Sequence, residues 1–102
     1  MNSEKHREEI LKQIKEIVRY HLQGVTAKVY LFGSWARHRE RNSSDIDIAI
    51  ELVNPSSKGV ISTIREAFEE STIPYRIEVV NLDDTNIDFK NKVVEEGIRW
   101  NV

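Results

Sequence analysis

From Asp45 to Leu52 the chain reads Asp-Ile-Asp-Ile-Ala-Ile-Glu-Leu, with apolar residues at every second position. A period of two is the side-chain period of a β-strand, so Ile46, Ile48, Ile50 and Leu52 share one face. Asp45 and Asp47 then project from the other, roughly 7 Å apart along the strand. Four large aliphatic side chains on one face require a cover, which places this strand in a sheet packed against helices. Two like charges so close raise each other's pKa unless a cation lies between them. Solvated residues on the wet face of a half-exposed sheet are the plainer reading, but aspartate is disfavoured in strands, which weighs against it.

The remaining segments can be ordered around this strand. From Ser3 to Leu22 the apolar residues Ile10, Leu11, Ile14, Ile17, Val18 and Leu22 recur at helical spacing, with Gly24 as a stop. Ala27 to Phe32 is branched and aromatic and runs into Gly33, as a strand ending in a tight turn does. Asn54-Pro55 ends the alternating strand. Val60, Ile61, Ile64, Ala67 and Phe68 mark a second amphipathic helix before Pro74, and Tyr75 to Val80 forms a third strand. After the turn-rich stretch from Asn81 to Thr85, the spacing of Ile87, Phe89, Val93, Val94 and Ile98 predicts a last helix. The expected architecture is α/β, in the order α-β-β-α-β-α: a small mixed sheet of about three strands with helices packed on the isoleucine face. The strand-helix-strand unit from Asp45 to Val80 is expected to be a right-handed crossover with parallel strands. Residues 1–102 are expected to form one domain, whose length leaves no room for a second, substrate-holding domain.

Composition removes several function classes. Fifteen basic and 17 acidic residues give a net charge of −2, which offers no global attraction for nucleic acid. With no cysteine, disulfides, thiolate metal sites and cysteine nucleophiles are excluded. The first 25 residues alternate charged residues with Ile and Leu, and no stretch approaches a membrane span, so a cytoplasmic protein is expected.

The aspartates gain meaning from what precedes them. Gly33-Ser34 is separated from Asp45-Ile46-Asp47 by ten residues. Four fixed positions recur by chance in on the order of one such chain in a thousand. Gly33, at the end of a strand, allows backbone N–H groups to approach a phosphate, and Ser34 is suited to cap a short helical turn whose free N–H groups attract anions. Hard oxygen ligands on the adjacent strand suit Mg²⁺ held through one or two carboxylates plus substrate phosphates.

Gly33-Ser34-Trp35-Ala36-Arg37 through Ser44-Asp45-Ile46-Asp47 resembles the signature of the polymerase-beta-type nucleotidyltransferases, and the chain length points to their minimal (MNT) branch. The resemblance implies the nucleotidyltransferase fold and the transfer of a nucleoside monophosphate, AMP from ATP, to an acceptor hydroxyl. It also implies a third acidic ligand on a later strand. Glu78, with Ile77 and Val79 facing the helices, falls on the aspartate side. Asp83 and Asp84 are rivals, in a loop where aspartate is common for local backbone reasons. Asp45, Asp47 and Glu78 are thus the expected catalytic and metal-binding residues, for one or two Mg²⁺ ions, while Gly33, Ser34 and Arg37 are expected to bind the nucleotide phosphates. Arg39 and Arg41 read as solvated loop charges. His38 stands where the family often has glycine. Trp35 either stacks or packs, and Trp100 and Tyr20 read as core or interface residues. By resemblance alone, the partner is a HEPN-domain protein of a toxin-antitoxin module, adenylylated on a tyrosine. The competing class is a non-catalytic module of the same fold that neutralises its partner by covering it.

Overall fold

The computed structural model describes residues 3–41, 43–54, 57 and 59–102. Pro55 of the expected Asn54-Pro55 break lies outside them. The elements are α1 (Ser3–His21), β1 (Ala27–Phe32), β2 (Ile46–Leu52), α2 (Gly59–Glu69), β3 (Ile77–Asn81), a 3-10 turn (Leu82–Asp84), α3 (Ile87–Glu96) and β4 (Ile98–Trp100). The four strands form one sheet in the order β3-β2-β1-β4. β2 lies antiparallel to β1 and parallel to β3, and β4 runs antiparallel to β1. The parallel pair is the one the β2-α2-β3 crossover was expected to create.

The alternation in β2 does what its period implies. Ile46, Ile48 and Ile50 are fully buried, meeting Ile14 and Val18 of α1 and Ile61, Ile64 and Phe68 of α2 in one cluster. Each such side chain stabilises the fold by about 1.5–3 kcal/mol relative to exposure, so this seam fixes the register of β2.

Two features depart from the expected arrangement. Helix α3 packs on the opposite face from α1 and α2, where Val93 and Phe89 join Tyr30, Ala49, Leu82 and Phe32. The physical reason lies in β1 and β2. Tyr30 and Phe32 make the second face of β1 apolar, and Ala49 gives β2 a small apolar spot beside it, so that half of the far face also needs a cover. The second departure is β4. Ile98, assigned to the last helix by spacing, opens a strand that pairs with Leu31. Gly97 makes the change of direction possible: its N–H closes α3 on the Val93 carbonyl at 2.7 Å, and a side chain there would press on the carbonyls of Val93 and Leu31. Trp100 is a core residue, with the ammonium of Lys15 5.1 Å from its ring centre. Tyr20 is 68% exposed and is no part of the core. Among the described residues no helix is long and apolar enough to cross a membrane.

Candidate active site

β1 ends at Phe32 and the chain turns at once. Gly33 adopts φ +80°, a left-handed conformation that favours glycine, and a Cβ there would overlap the Asp47 carboxylate. The strand register shows why the two meet, since Phe32 lies opposite Asp47 across the β1-β2 pair. Residues 34–38 form a single helical turn in which the N–H groups of Ala36 and Arg37 bond to the Gly33 carbonyl at 3.1 and 3.3 Å. The Arg39 N–H bonds to the Ser34 carbonyl at 2.8 Å and closes it. His38 sits at the closing position with φ +56°, the left-handed geometry in which helical turns commonly end in glycine. The preference for glycine there is therefore a backbone requirement, and His38 meets it at a cost in strain. Its side chain is exposed.

On the other side of β2, Asp47 pairs with Glu78 of β3. The parallel ladder begins one step earlier, where the Ile46 N–H bonds to the Arg76 carbonyl at 2.9 Å. Asp45 lies just before β2. The structure thus brings Gly33, Ser34, Asp45, Asp47 and Glu78 to one end of the sheet, with Asp47 in the middle. The rivals Asp83 and Asp84 do not join them. They lie in the 3-10 turn beyond the far end of β3, capped by Asn81, whose side chain accepts from the Asp83 N–H at 3.0 Å.

The electrostatics of the site centre on Asp47. Burial, then the charges of Glu78 and Asp45 and a hydrogen bond shared with Glu78, push its carboxyl up to about 6. Among the described residues, no three His, Asp or Glu side chains stand close enough together, as placed, to hold a metal ion. The donor set nonetheless fits a hard divalent cation. All its atoms are carboxylate oxygens, the crowding of negative charge is what a cation relieves, and such ions commonly take one or two carboxylates and complete their shell with phosphate and water.

Positive charge flanks the turn. Arg37 is exposed, with Nε 3.5 Å from the Gly33 carbonyl, and shares with Lys92, Phe32 and Phe89 the wall of a cavity of about 190 Å³ beside Gly33. Arg39 and Arg41 point to solvent. A larger cavity, about 560 Å³, runs between α2 and the outer edge of β3 and includes Arg65, Tyr75, Arg76 and Glu78. Trp35 is 2% exposed and packs edge-on against Tyr75 at 5.1 Å, so the packing alternative describes it.

Sequence reasoning missed Arg7. This arginine of α1 is 8% exposed, binds Glu40 at 3.1 Å, donates to the Trp35 carbonyl and lies over the Trp35 ring. A signal was present, for Arg7 precedes Ile10, Ile14 and Val18 on the apolar stripe of the helix, where a charge needs a partner. Lys92 gave no comparable signal.

With the tight Gly33 turn beside the Asp47 and Glu78 carboxylates at one end of the sheet, the chain falls among enzymes that move phosphorylated groups. It belongs to the family described as "Polymerase beta, Nucleotidyltransferase", whose model matches residues 7–99. It is similar to "Probable protein adenylyltransferase MntA" of Haemophilus influenzae, 32% identical over 62 residues, a match spanning 61% of this chain and 54% of that protein. It is also 27% identical over 93 residues to "Putative protein adenylyltransferase MJ0126" of Methanocaldococcus jannaschii, spanning 86% of this chain and 94% of the relative. Among solved structures, a "putative minimal nucleotidyltransferase" matches with a TM-score of 0.73 at 19% identity, covering 90% of this chain and 93% of that one. A toxin-antitoxin structure with AMP-PNP matches at 0.65 and 21% identity, covering 85% and 73%. These structures share the nucleotidyltransferase fold with this chain.

Proposed function

We propose that this chain transfers AMP from ATP to an acceptor hydroxyl, a tyrosine of a HEPN-type toxin partner, and so acts as an antitoxin. The observation that carries the reading is the position of Asp47, flanked by the Gly33 turn on one side and Glu78 on the other. The order along the sheet separates a phosphate side from an acceptor side. In this reading the N–H groups at the start of the turn, at Ser34 and Trp35, the Ser34 hydroxyl and the Arg37 guanidinium hold the outgoing phosphates. Asp45 and Asp47, with Glu78, would hold Mg²⁺, which supplies charge neutralisation on the phosphates and on the attacking oxygen. The acceptor oxygen forms a bond to the α-phosphorus, the bond from that phosphorus to the bridging oxygen of the β-phosphate breaks, and pyrophosphate leaves. Glu78, exposed at the edge of the cluster, accepts the proton of the acceptor hydroxyl. What the protein contributes is positioning and electrostatic stabilisation of charge on the phosphates.

The partner and acceptor rest on relatives. MntA carries adenylyltransferase in its name, and a solved structure that matches 94% of this chain with a TM-score of 0.58 is described as a tri-AMPylated Shewanella oneidensis HEPN toxin in complex with MNT antitoxin. The test is intact-mass spectrometry of a HEPN protein from the neighbouring reading frame after incubation with this chain, ATP and Mg²⁺. Addition of AMP units, lost in Asp45→Asn/Asp47→Asn, is the expected result. A partner bound and neutralised equally by wild type and double mutant, with no added mass, overturns catalysis and leaves the binding-module function.

A further inference from the structure

The phosphate turn is not held by its own hydrogen bonds alone. Arg7, in the first turns of α1, reaches both ends of the segment that carries it. Nη2 donates to the backbone carbonyl of Trp35, the second residue after Gly33, and Nε donates to Oε2 of Glu40, two residues past the left-handed His38. The guanidinium also lies 5.9 Å from the centre of the Trp35 ring. These side chains are largely out of solvent, at 10% exposure for Arg7 and 21% for Glu40. The neighbouring His6 hydrogen-bonds the Tyr75 hydroxyl at 3.1 Å, and Tyr75 packs on Trp35 just ahead of the strand that bears Glu78. One helical turn of α1 is thereby tied to the phosphate turn and to the entry of β3.

We infer that Arg7 is a positioning residue for nucleotide binding: it clamps residues 35 and 40 so that the N–H groups of the turn are aimed before the triphosphate arrives. The inference rests on the nucleotidyltransferase reading for its ligand and on geometry alone for the clamp. Arg7 acts through Trp35 and Glu40. The planar guanidinium matters because two donors in a fixed fork meet a carbonyl and a carboxylate together, which an ammonium serves less well. Without it, the Trp35 carbonyl and the Glu40 carboxylate both lose a charge-assisted partner in a largely buried setting, and the turn is released.

The experiment combines amide hydrogen exchange of the ligand-free protein with calorimetric titration of Mg·ATP, on wild type, Arg7→Ala, Arg7→Lys, Glu40→Gln and, as a control on the exposed face of α1, Arg19→Ala. Arg7→Ala is expected to speed exchange of amides 34–39 by about tenfold or more while the β1 and β2 amides keep their protection, and to weaken Mg·ATP by about 10- to 100-fold, the effect of losing a group that orients a ligand. Arg7→Lys should recover part of both, Glu40→Gln should show the smaller loss of one arm of the clamp, and Arg19→Ala should match wild type. Unchanged exchange at 34–39 in Arg7→Ala overturns the clamp. Acceleration spread evenly over the whole sheet makes Arg7 a plain stability residue. Fast exchange with undiminished ATP affinity overturns the link to binding. If Arg7→Ala does not fold, Arg7→Lys and Glu40→Gln carry the same comparisons. A wild type that binds no Mg·ATP defeats the nucleotide reading, while the exchange arm still decides the clamp.

Discussion

Gly33 and His38, five residues apart, both occupy the left-handed region of backbone space, and they answer for it differently. At Gly33 the conformation is free of penalty and the missing side chain leaves room for Asp47. Gly33→Ala is therefore expected to cost about 1–3 kcal/mol and to weaken nucleotide binding, measured by denaturation and titration. His38→Gly is expected to raise stability by about 0.5–1 kcal/mol, the relief of strain less the entropy that glycine adds to the unfolded chain. A His38→Gly variant no more stable than wild type would mean the histidine side chain makes a compensating contact. Asp47 supplies the pH dependence. Its carboxyl titrates near 6 in the folded, metal-free protein, against about 3.9 in an unfolded chain. Between those values Asp47 binds more of its proton in the native state than in the unfolded state, so the contribution of this group to stability falls as pH rises from about 4 through 6. Denaturation in chelator at pH 4.5 and 7.5 is expected to show that decline, and Asp47→Asn should reduce it.

At the scale of elements, strand parity sets which carboxylate stands beside Asp47. Glu78→Gln is expected to lower adenylyl transfer by about 100-fold or more while nucleotide affinity changes little, as loss of a proton acceptor does, and Asp83→Asn should leave both near wild type. An inactive Asp83→Asn would place the third carboxylate beyond the end of β3. The parity itself was readable, because Ile77 and Val79 flank Glu78. So were α1, β2 and α2, whose periods are long enough to be unambiguous, and β1, from its branched and aromatic run into Gly33. β4 was not: its three residues follow α3 after a single glycine, and Ile98 falls eleven residues after Ile87, where a helix also returns its apolar face. The side taken by α3 could have been read from β1, where Val29, Tyr30, Leu31 and Phe32 are apolar in succession and so ask for cover on both faces. Trp100→Ala tests the importance of β4, with an expected loss of about 3–5 kcal/mol on thermal or chemical unfolding, as for other buried tryptophans.

Taken whole, the molecule puts its chemistry at an open end of the sheet. Glu78 is exposed, and β3 is an edge strand, so on the proposed reading the acceptor hydroxyl would approach from outside the described fold. Holding an acceptor in line can contribute roughly 7–11 kcal/mol to such a reaction. With nucleotide bound and no acceptor present, the chain is expected to turn ATP over slowly, and addition of the HEPN partner is expected to raise AMP transfer rather than hydrolysis. Pyrophosphate release followed with and without partner reads this directly, and equal rates in both would remove the acceptor from the rate-limiting positioning. The motif from Gly33 to Asp47 announced the family in the sequence, whereas the contacts behind it, Arg7 reaching Trp35 and Glu40, join positions 28 and 33 residues apart that no local pattern connects.

The close approach of Gly33 to Asp47 also bears on thermodynamics. If the Gly33 turn holds phosphate and Asp47 faces the cation, as proposed, their close approach means that neither ligand would settle without altering the surroundings of the other. The two affinities are then linked, and the factor by which Mg²⁺ tightens a non-hydrolysable ATP analogue must equal the factor by which the analogue tightens Mg²⁺. A substitution at residue 33 that pushes the turn away from Asp47 should shrink that common factor toward one even where each ligand alone still binds. The missing side chain would then be what makes two binding events behave as one cooperative unit.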